Sequence, residues 1–300
     1  MGDQVDATLP ITRRYPPRGR YAGPNDLAMS GIDRGRTAAQ GRGIGSPVNR
    51  LTGLRITDAG MGMLTCAMPV SPWWQSGAGV LPAGILAFVA DSPATGCILT
   101  TAPPWTGVST SQLSIDFLRP ATIRSQTVIG RARLVHATKS LGVGEVFVED
   151  GRGRLLAHGT ARGVLFPIDP DQMKEQRVVG DPDALGPIPY ELPVEGDIKG
   201  QEFFDTTPGI EVARLSLTQK YRSPMSRFFG IRAVAIDEGS ATMEMEASTW
   251  LTSGIGTIYG GALAVLADTT TNMATATIIP AATAFAPLDM KINYLRPALP

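Results

Sequence analysis

Apolar and polar positions in the first half of this chain alternate with the two-residue period of half-buried strands. Leu113, Ile115 and Phe117 alternate with Ser114 and Asp116, which predicts a strand over 108–118, ended by Arg119-Pro120. Three further alternating runs, 127–135, 142–149 and 155–166, predict a meander, and Asp150-Gly-Arg-Gly153 is a hairpin signal between the last two. Upstream, 55–68 reads as two strands around Asp58-Ala-Gly60. Ser46-Pro47 opens a short helix, with Ser as N-cap and Pro at the first helical position. Between hairpin and meander lies an apolar run of helical length, 82–100. Pro93 falls well inside it and should kink or shorten the helix. One long helix against one antiparallel sheet is an α+β layer.

The pattern then recurs. Gly254-Ile-Gly-Thr-Ile-Tyr-Gly-Gly-Ala-Leu-Ala-Val-Leu-Ala-Asp268 echoes the stretch from Gly77 to Asp91, and the two aspartates are 177 residues apart. Phe117-Leu-Arg-Pro-Ala121 and Tyr294-Leu-Arg-Pro-Ala298 keep that offset, as do Ser46-Pro47 and Ser223-Pro224. Without gaps, 46–121 and 223–298 are identical at roughly a third of positions, a duplicated domain with a period far too long for a solenoid. The division predicted is a disordered or loosely packed tail over 1–45, a first domain over 46–166, a Pro-, Gly- and acid-rich linker over 167–210, and a second domain over 211–300. By the offset, the last three strands of the first copy have no counterpart in the second. A fragment is one expectation, and a sheet completed in some other way is the alternative.

Composition narrows the class without choosing a chemistry. There are 27 basic and 27 acidic residues, so no basic excess points to nucleic acid. Cys66 and Cys97 are too few for a disulfide framework. Asp3 and Asp6 precede any apolar run, which argues against a signal peptide. Asp268 and Asn272 interrupt the apolar stretch after Tyr259, which argues against a membrane span. A cytoplasmic chain is the expectation. No cluster of Cys and His offers a metal site. Candidate chemistry lies in the repeated stretch. Glycines let backbone approach a ligand, free N–H groups at a helix start hold a developing anion, and a carboxylate in an apolar helix is costly unless paired or used. A buried helix with one satisfied aspartate fits the segment equally well.

The motif Gly256-x-x-Tyr-Gly-Gly-Ala-Leu-x-x-Leu-Ala-Asp268, followed by Leu288-Asp-Met-x-Ile-x-Tyr-Leu-Arg-Pro297, resembles the phenylacetate-pathway (PaaI-type) acyl-CoA thioesterases of the hotdog fold. The first copy is similar through Gly84, Asp91, Phe117-Leu-Arg-Pro120 and the stretch from Asp150 to Ala157. The resemblance implies two tandem hotdog domains, the second incomplete. It also implies a site between them, with the helix-opening loop of one copy facing the carboxylate of the other. In the family a His-Gly-Gly motif opens the helix. An N–H at its first Gly polarises the thioester carbonyl, and an acid nine residues after the His serves as general base or nucleophile.

Carried over, the His position is Tyr259 in copy two and Pro82 in copy one, the first Gly is Gly260 or Ala83, and the acid is Asp268 or Asp91. The crossed pairing of Gly260 with Asp91, near the hydroxyl of Thr110, is then the better site. The reciprocal pairing has Pro82, which lacks an N–H, and Pro287 in place of the hydroxyl. Tyr259 either takes over the His hydrogen bond or fills the interface with its ring. Gly261, Gly256 and Ser253, the last standing where the family often has Asn, are candidate substrate contacts. Lys139, Arg152, Arg119 and Arg296 are candidates for the phosphates of coenzyme A. The implied activity is hydrolysis of an acyl-CoA, less readily an acyl-carrier-protein thioester, with no cofactor beyond the coenzyme A of the substrate and with pairing of pseudo-dimeric chains into homo-oligomers. Loss of the His in both copies favours a silent acyl-CoA-binding or regulatory protein instead, whereas retention of both aspartates opposes it. A dehydratase is third, lacking the His it would use.

Overall fold

The computed structural model describes residues 9–300, apart from 174, 176, 181–185 and 219–220. The expected loose tail lies outside the described residues over 1–8. From residue 9 on it is a folded strap that carries α1 (Ile11–Arg14), β1 (Gly19–Arg20), α2 (Pro24–Leu27) and α3 (Gly31–Thr37). Sparse apolar residues anchor it: Ile11, Leu27 and Ile32 are buried, and Trp250 Nε1 donates to the Tyr15 carbonyl at 2.9 Å. Its composition misled because the strap builds no core of its own. It borrows one by docking onto the domains.

The first copy follows its expected order. Ser46 precedes α4 (Pro47–Thr52), β2 (Arg55–Gly60) pairs with β3 (Met63–Pro69), and α5 (Ala83–Leu99) comes next. The hairpin turns at Met61-Gly62, two residues later than expected, where Gly62 takes φ +70°. Pro93 does not break α5. Its ring sits over Gly130, where any Cβ would stand 2.8 Å from the Pro93 Cγ, so a glycine on the sheet makes the room. The meander is β4 (Thr106–Phe117), β5 (Thr127–Ala137), β6 (Leu141–Asp150) and β7 (Leu155–Pro167). Because α5 is apolar on all sides, it needs cover on all sides. The sheet wraps one face and the second copy covers another.

Among its described residues, the connection between copies holds β8 (Val178–Val179), paired with β1, and α6 (Gln201–Thr206). α7 (Gly209–Leu217) then leads into the second copy. The second copy forms α8 (Pro224–Phe229), β9 (Ile231–Asp237) paired with β10 (Ser240–Met245), α9 (Gly260–Ala276) and β11 (Asp289–Asn293). β11 joins the sheet of the first copy, whose strand order is β11-β4-β7-β6-β5-β3-β2, while β9 and β10 stand apart as a two-stranded sheet.

The register shows how the copies are related. β11 runs antiparallel to β4 with Lys291 opposite Ser114, Asp289 opposite Asp116 and Asn293 opposite Gln112. Lys291 and Ser114 are themselves partners at the repeat offset, so a pseudo-twofold axis passes between them. α5 and α9 pack across that axis, and Trp73, Trp74 and Phe88 of copy one meet Phe228, Phe229 and Tyr259 of copy two in one aromatic cluster, with Trp74 and Phe228 4.7 Å apart edge to face. The architecture is α+β, two copies of one helix-and-sheet unit sharing one core, the second with fewer strands.

Candidate active site

Each long helix starts against the middle of the other. The N–H of Gly261, second residue of α9, donates to Asp91 Oδ2 at 3.0 Å, and the N–H of Gly84, second residue of α5, donates to Asp268 Oδ2 at 2.9 Å. The pseudo-twofold thus makes two crossed contacts of one kind. Glycine is required at both positions. A Cβ on Gly84 would stand 2.9 Å from the Asp268 Cβ, and one on Gly261 would stand 2.8 Å from the Phe88 backbone. The first residue, Gly260, is as constrained, since its Cβ would stand 2.8 Å from Asp91 Oδ2.

The contacts differ in what surrounds them. Asp91 is 2% exposed, and its Oδ1 accepts from Thr110 Oγ1 at 2.7 Å. Burial pushes its carboxyl up to about 6, against the hydrogen bonds from Thr110 and Gly261, which pull it down. Asp268 is equally buried, and Asn272 Nδ2 donates to its Oδ1 at 2.9 Å. Burial raises this carboxyl too, while Gly84 and Asn272 lower it. Among the described residues, Asp91 lines the main cavity and Asp268 does not. That cavity has a volume of about 1050 Å³, and its wall includes Asp91, Thr110, Tyr259, Gly260 and Ser253, but not Asp268. Ordered residues of the N-terminal strap, including Leu27 and Arg34, close one side of it.

The hydroxyl of Tyr259 is not turned to the cavity. It donates to the Phe88 carbonyl at 2.7 Å, and its ring stacks edge to face on Phe88 at 4.9 Å. Burial drives this phenol well above its ordinary range. Of the two sequence expectations for Tyr259, the geometry fits the interface filler. The N–H of Gly260 has no protein acceptor among the described residues, while its carbonyl accepts from Tyr294 Oη at 3.1 Å. Tyr294 was not a site candidate in the sequence, although it begins the Tyr-Leu-Arg-Pro repeat opposite Phe117. Its hydroxyl, absent from the first copy, was the available signal.

Other candidates scatter. Ser253 lines the cavity and holds its own turn, its N–H donating to the Thr257 carbonyl at 2.8 Å. Gly256, at φ +86°, serves that turn and packs near Tyr21 of the strap, off the cavity wall. Lys139 is exposed on the β5–β6 turn and does not line the cavity, so the structure does not bring it to the site. Arg152 is exposed on its hairpin and Arg119 donates to the Leu155 carbonyl, whereas Arg296 does line the cavity. His158 contacts Glu145 on the sheet, away from the aspartates. Among the described residues, no group of three His, Cys, Asp or Glu is placed to hold a metal, and no helix is long and apolar enough to cross a membrane.

The sequence pattern of the thioesterase superfamily matches residues 78–157, and that of a domain of unknown function (DUF4442) matches 213–299. No curated protein sequence matches the chain. Similar solved structures include the PaaI protein of the E. coli phenylacetic acid degradation operon (18% identity, 46% of this chain, 99% of that one, TM-score 0.40). A thioesterase family protein from Silicibacter pomeroyi is also similar (24% identity, 44% of this chain, 98% of that one, TM-score 0.41), as is a thioesterase from Haemophilus influenzae (18% identity, 40% and 82%, TM-score 0.38).

Proposed function

We propose that the chain is a thioester hydrolase acting on an acyl-CoA, in the manner of a PaaI-type tandem hotdog enzyme, with one working site formed by Asp91 and the start of α9. The observation that carries this reading is the Asp91 carboxylate, raised to about 6, standing in a cavity wall beside a helix start whose first N–H, that of Gly260, has no acceptor among the described residues. The thioesterase-superfamily pattern over residues 78–157, which contain Asp91, supports it.

In the proposed reaction the thioester carbonyl oxygen lies at the Gly260 N–H, where the end of the helix favours developing negative charge. Asp91, ionised above pH 6, takes a proton from water as the water oxygen bonds to the carbonyl carbon. Collapse of the tetrahedral adduct breaks the carbon–sulfur bond, and the proton on Asp91 passes to the departing thiolate. Thr110 and the Gly261 N–H hold the two carboxylate oxygens and so fix the direction of its lone pairs. Tyr259 and Tyr294 pin the loop that presents Gly260. The reciprocal pairing at Asp268 is a structural copy in which Asn272 holds the carboxylate, and Asp268 does not line this cavity. A cytoplasmic setting and assembly of the pseudo-dimer into larger homo-oligomers belong to the same proposal.

The competing reading, a silent acyl-CoA binder, is favoured by the Tyr259 hydroxyl, which is spent on a main-chain carbonyl where a His would face substrate. Thiol release from acyl-CoAs as a function of pH separates the two. Hydrolysis predicts kcat/KM rising with pH through about 6 to a plateau. Binding without release, or a rate indifferent to pH over 5–8, contradicts it.

A further inference from the structure

The cavity has a charged far end. Asp91, Thr95 and Leu99 lie at four-residue spacing on one face of α5, and all three line it. Val108 and Thr110 line it from the same face of β4. At the end away from Asp91 stands Arg34, on α3 of the N-terminal strap. Its Nη2 donates to the Thr106 carbonyl at 2.8 Å. Four strand steps separate Thr106 from Thr110, about 13 Å between their Cα atoms, and the guanidinium is held at the Thr106 end.

This guanidinium is poorly served. Its Nε is buried with no hydrogen-bond partner, and Arg34 makes no ion pair among the described residues. The carboxylate that acts on it, Asp26, also lines the cavity and is already taken by Arg20, at 2.7 and 3.3 Å, and by the Gly23 N–H at 2.9 Å. Burial lowers the Arg34 pKa, and Asp26 only partly opposes this. A half-buried guanidinium whose buried Nε has no partner costs stability unless something pairs with it. The planar fork of arginine matches a carboxylate. Between the two ends the wall carries Leu64, Leu99 and Val108 together with the side chain of Thr95.

We propose that Arg34 binds a carboxylate at the distal end of the acyl group, so that the preferred substrates are thioesters of dicarboxylic acids. Allowing for one ion-pair distance at the guanidinium, the span fits a chain of about eight carbons from thioester to terminal carboxyl. The strap is then a specificity element, closing the cavity and supplying the charge that selects the acyl end. This inference rests on the acyl-CoA reading of the cavity.

The test uses two thioethers of coenzyme A that cannot be hydrolysed, S-octyl-CoA and S-(7-carboxyheptyl)-CoA, titrated calorimetrically into the full chain. The carboxylate analogue should bind about tenfold or more tightly than the octyl analogue, as a charge-assisted fork at a half-buried site implies. In Arg34→Gln that preference should vanish, and in Arg34→Lys it should shrink. Equal binding of the two analogues to the wild type overturns the assignment of Arg34, and does so without a variant that must fold. Binding of neither overturns the acyl-CoA reading itself, and the Arg34 assignment with it.

Discussion

Replacing Asp91 by Asn should stabilise the fold at neutral pH, and by an amount that depends on pH in a defined way. Asn keeps the shape of Asp. Its Oδ1 can accept from the Gly261 N–H and its Nδ2 can donate to Thr110, so both contacts survive. What changes is charge. In the native state the Asp91 carboxyl titrates at about 6, against an ordinary 3.8. At about 1.4 kcal/mol per unit, that shift is worth about 3 kcal/mol. Its sign follows from proton uptake. Between the two values the native state holds the proton that the unfolded chain has lost. The wild type therefore has the full stability associated with this group below pH 4, loses it as pH rises towards 6, and stays lower above that. Asn has nothing to ionise. The neighbouring phenols of Tyr259 and Tyr294 are raised by burial and stay neutral throughout, so they drop out. Urea unfolding of wild type and Asp91→Asn at pH 4, 5, 6 and 7 should give a difference that grows by about 2.5 kcal/mol across the series and levels off above pH 6. A difference that does not change with pH would refute the claim that Asp91 is a strained, ionising carboxylate.

Three further outcomes follow from the same contacts. Gly84→Ala and Gly261→Ala each place a methyl against backbone or Cβ atoms within 2.9 Å, and should each cost about 1–3 kcal/mol in urea unfolding. Tyr259→Phe removes one buried hydrogen bond to the Phe88 carbonyl, so it should cost about 1 kcal/mol in stability while changing kcat less than about threefold, because the hydroxyl points away from the cavity. Asp268→Asn should leave thiol release near the wild-type rate, since the Asp268 carboxylate is closed by Gly84 and Asn272 and does not line the cavity.

The sequence carried the two-domain plan because duplication and strand periodicity are local, repeated signals. The pairing of Asp91 with the start of α9 was legible too, but only through the family's crossed geometry; nothing in the residues near Asp91 names its partner 170 positions away. What the chain hid falls into two kinds. One is docking without a pattern: Ile11, Leu27 and Ile32 are isolated apolar residues among Gly, Pro and Arg, and they become anchors only against a surface that other segments build. Arg34 belongs to this kind, since its place depends on where α3 lands on the end of α5, where Gly31 is so close to the Leu99 carbonyl that no Cβ fits. The other is a choice between equal local readings. Tyr259 could reach the substrate with its hydroxyl or fill the interface with its ring, and the hydroxyl goes to a helix carbonyl of the other copy. Pro93 is similar, a helix breaker by local rules that is tolerated because Gly130, on a strand folded over it, leaves it room.

The most direct test of the crossed site is thiol release from a panel of acyl-CoAs by wild type, Asp91→Asn and Asp268→Asn side by side, each first shown to unfold cooperatively. Turnover lost in Asp91→Asn and kept in Asp268→Asn is the predicted result. Turnover kept in Asp91→Asn and lost in Asp268→Asn would contradict the placement of the working site at Asp91 and the start of α9.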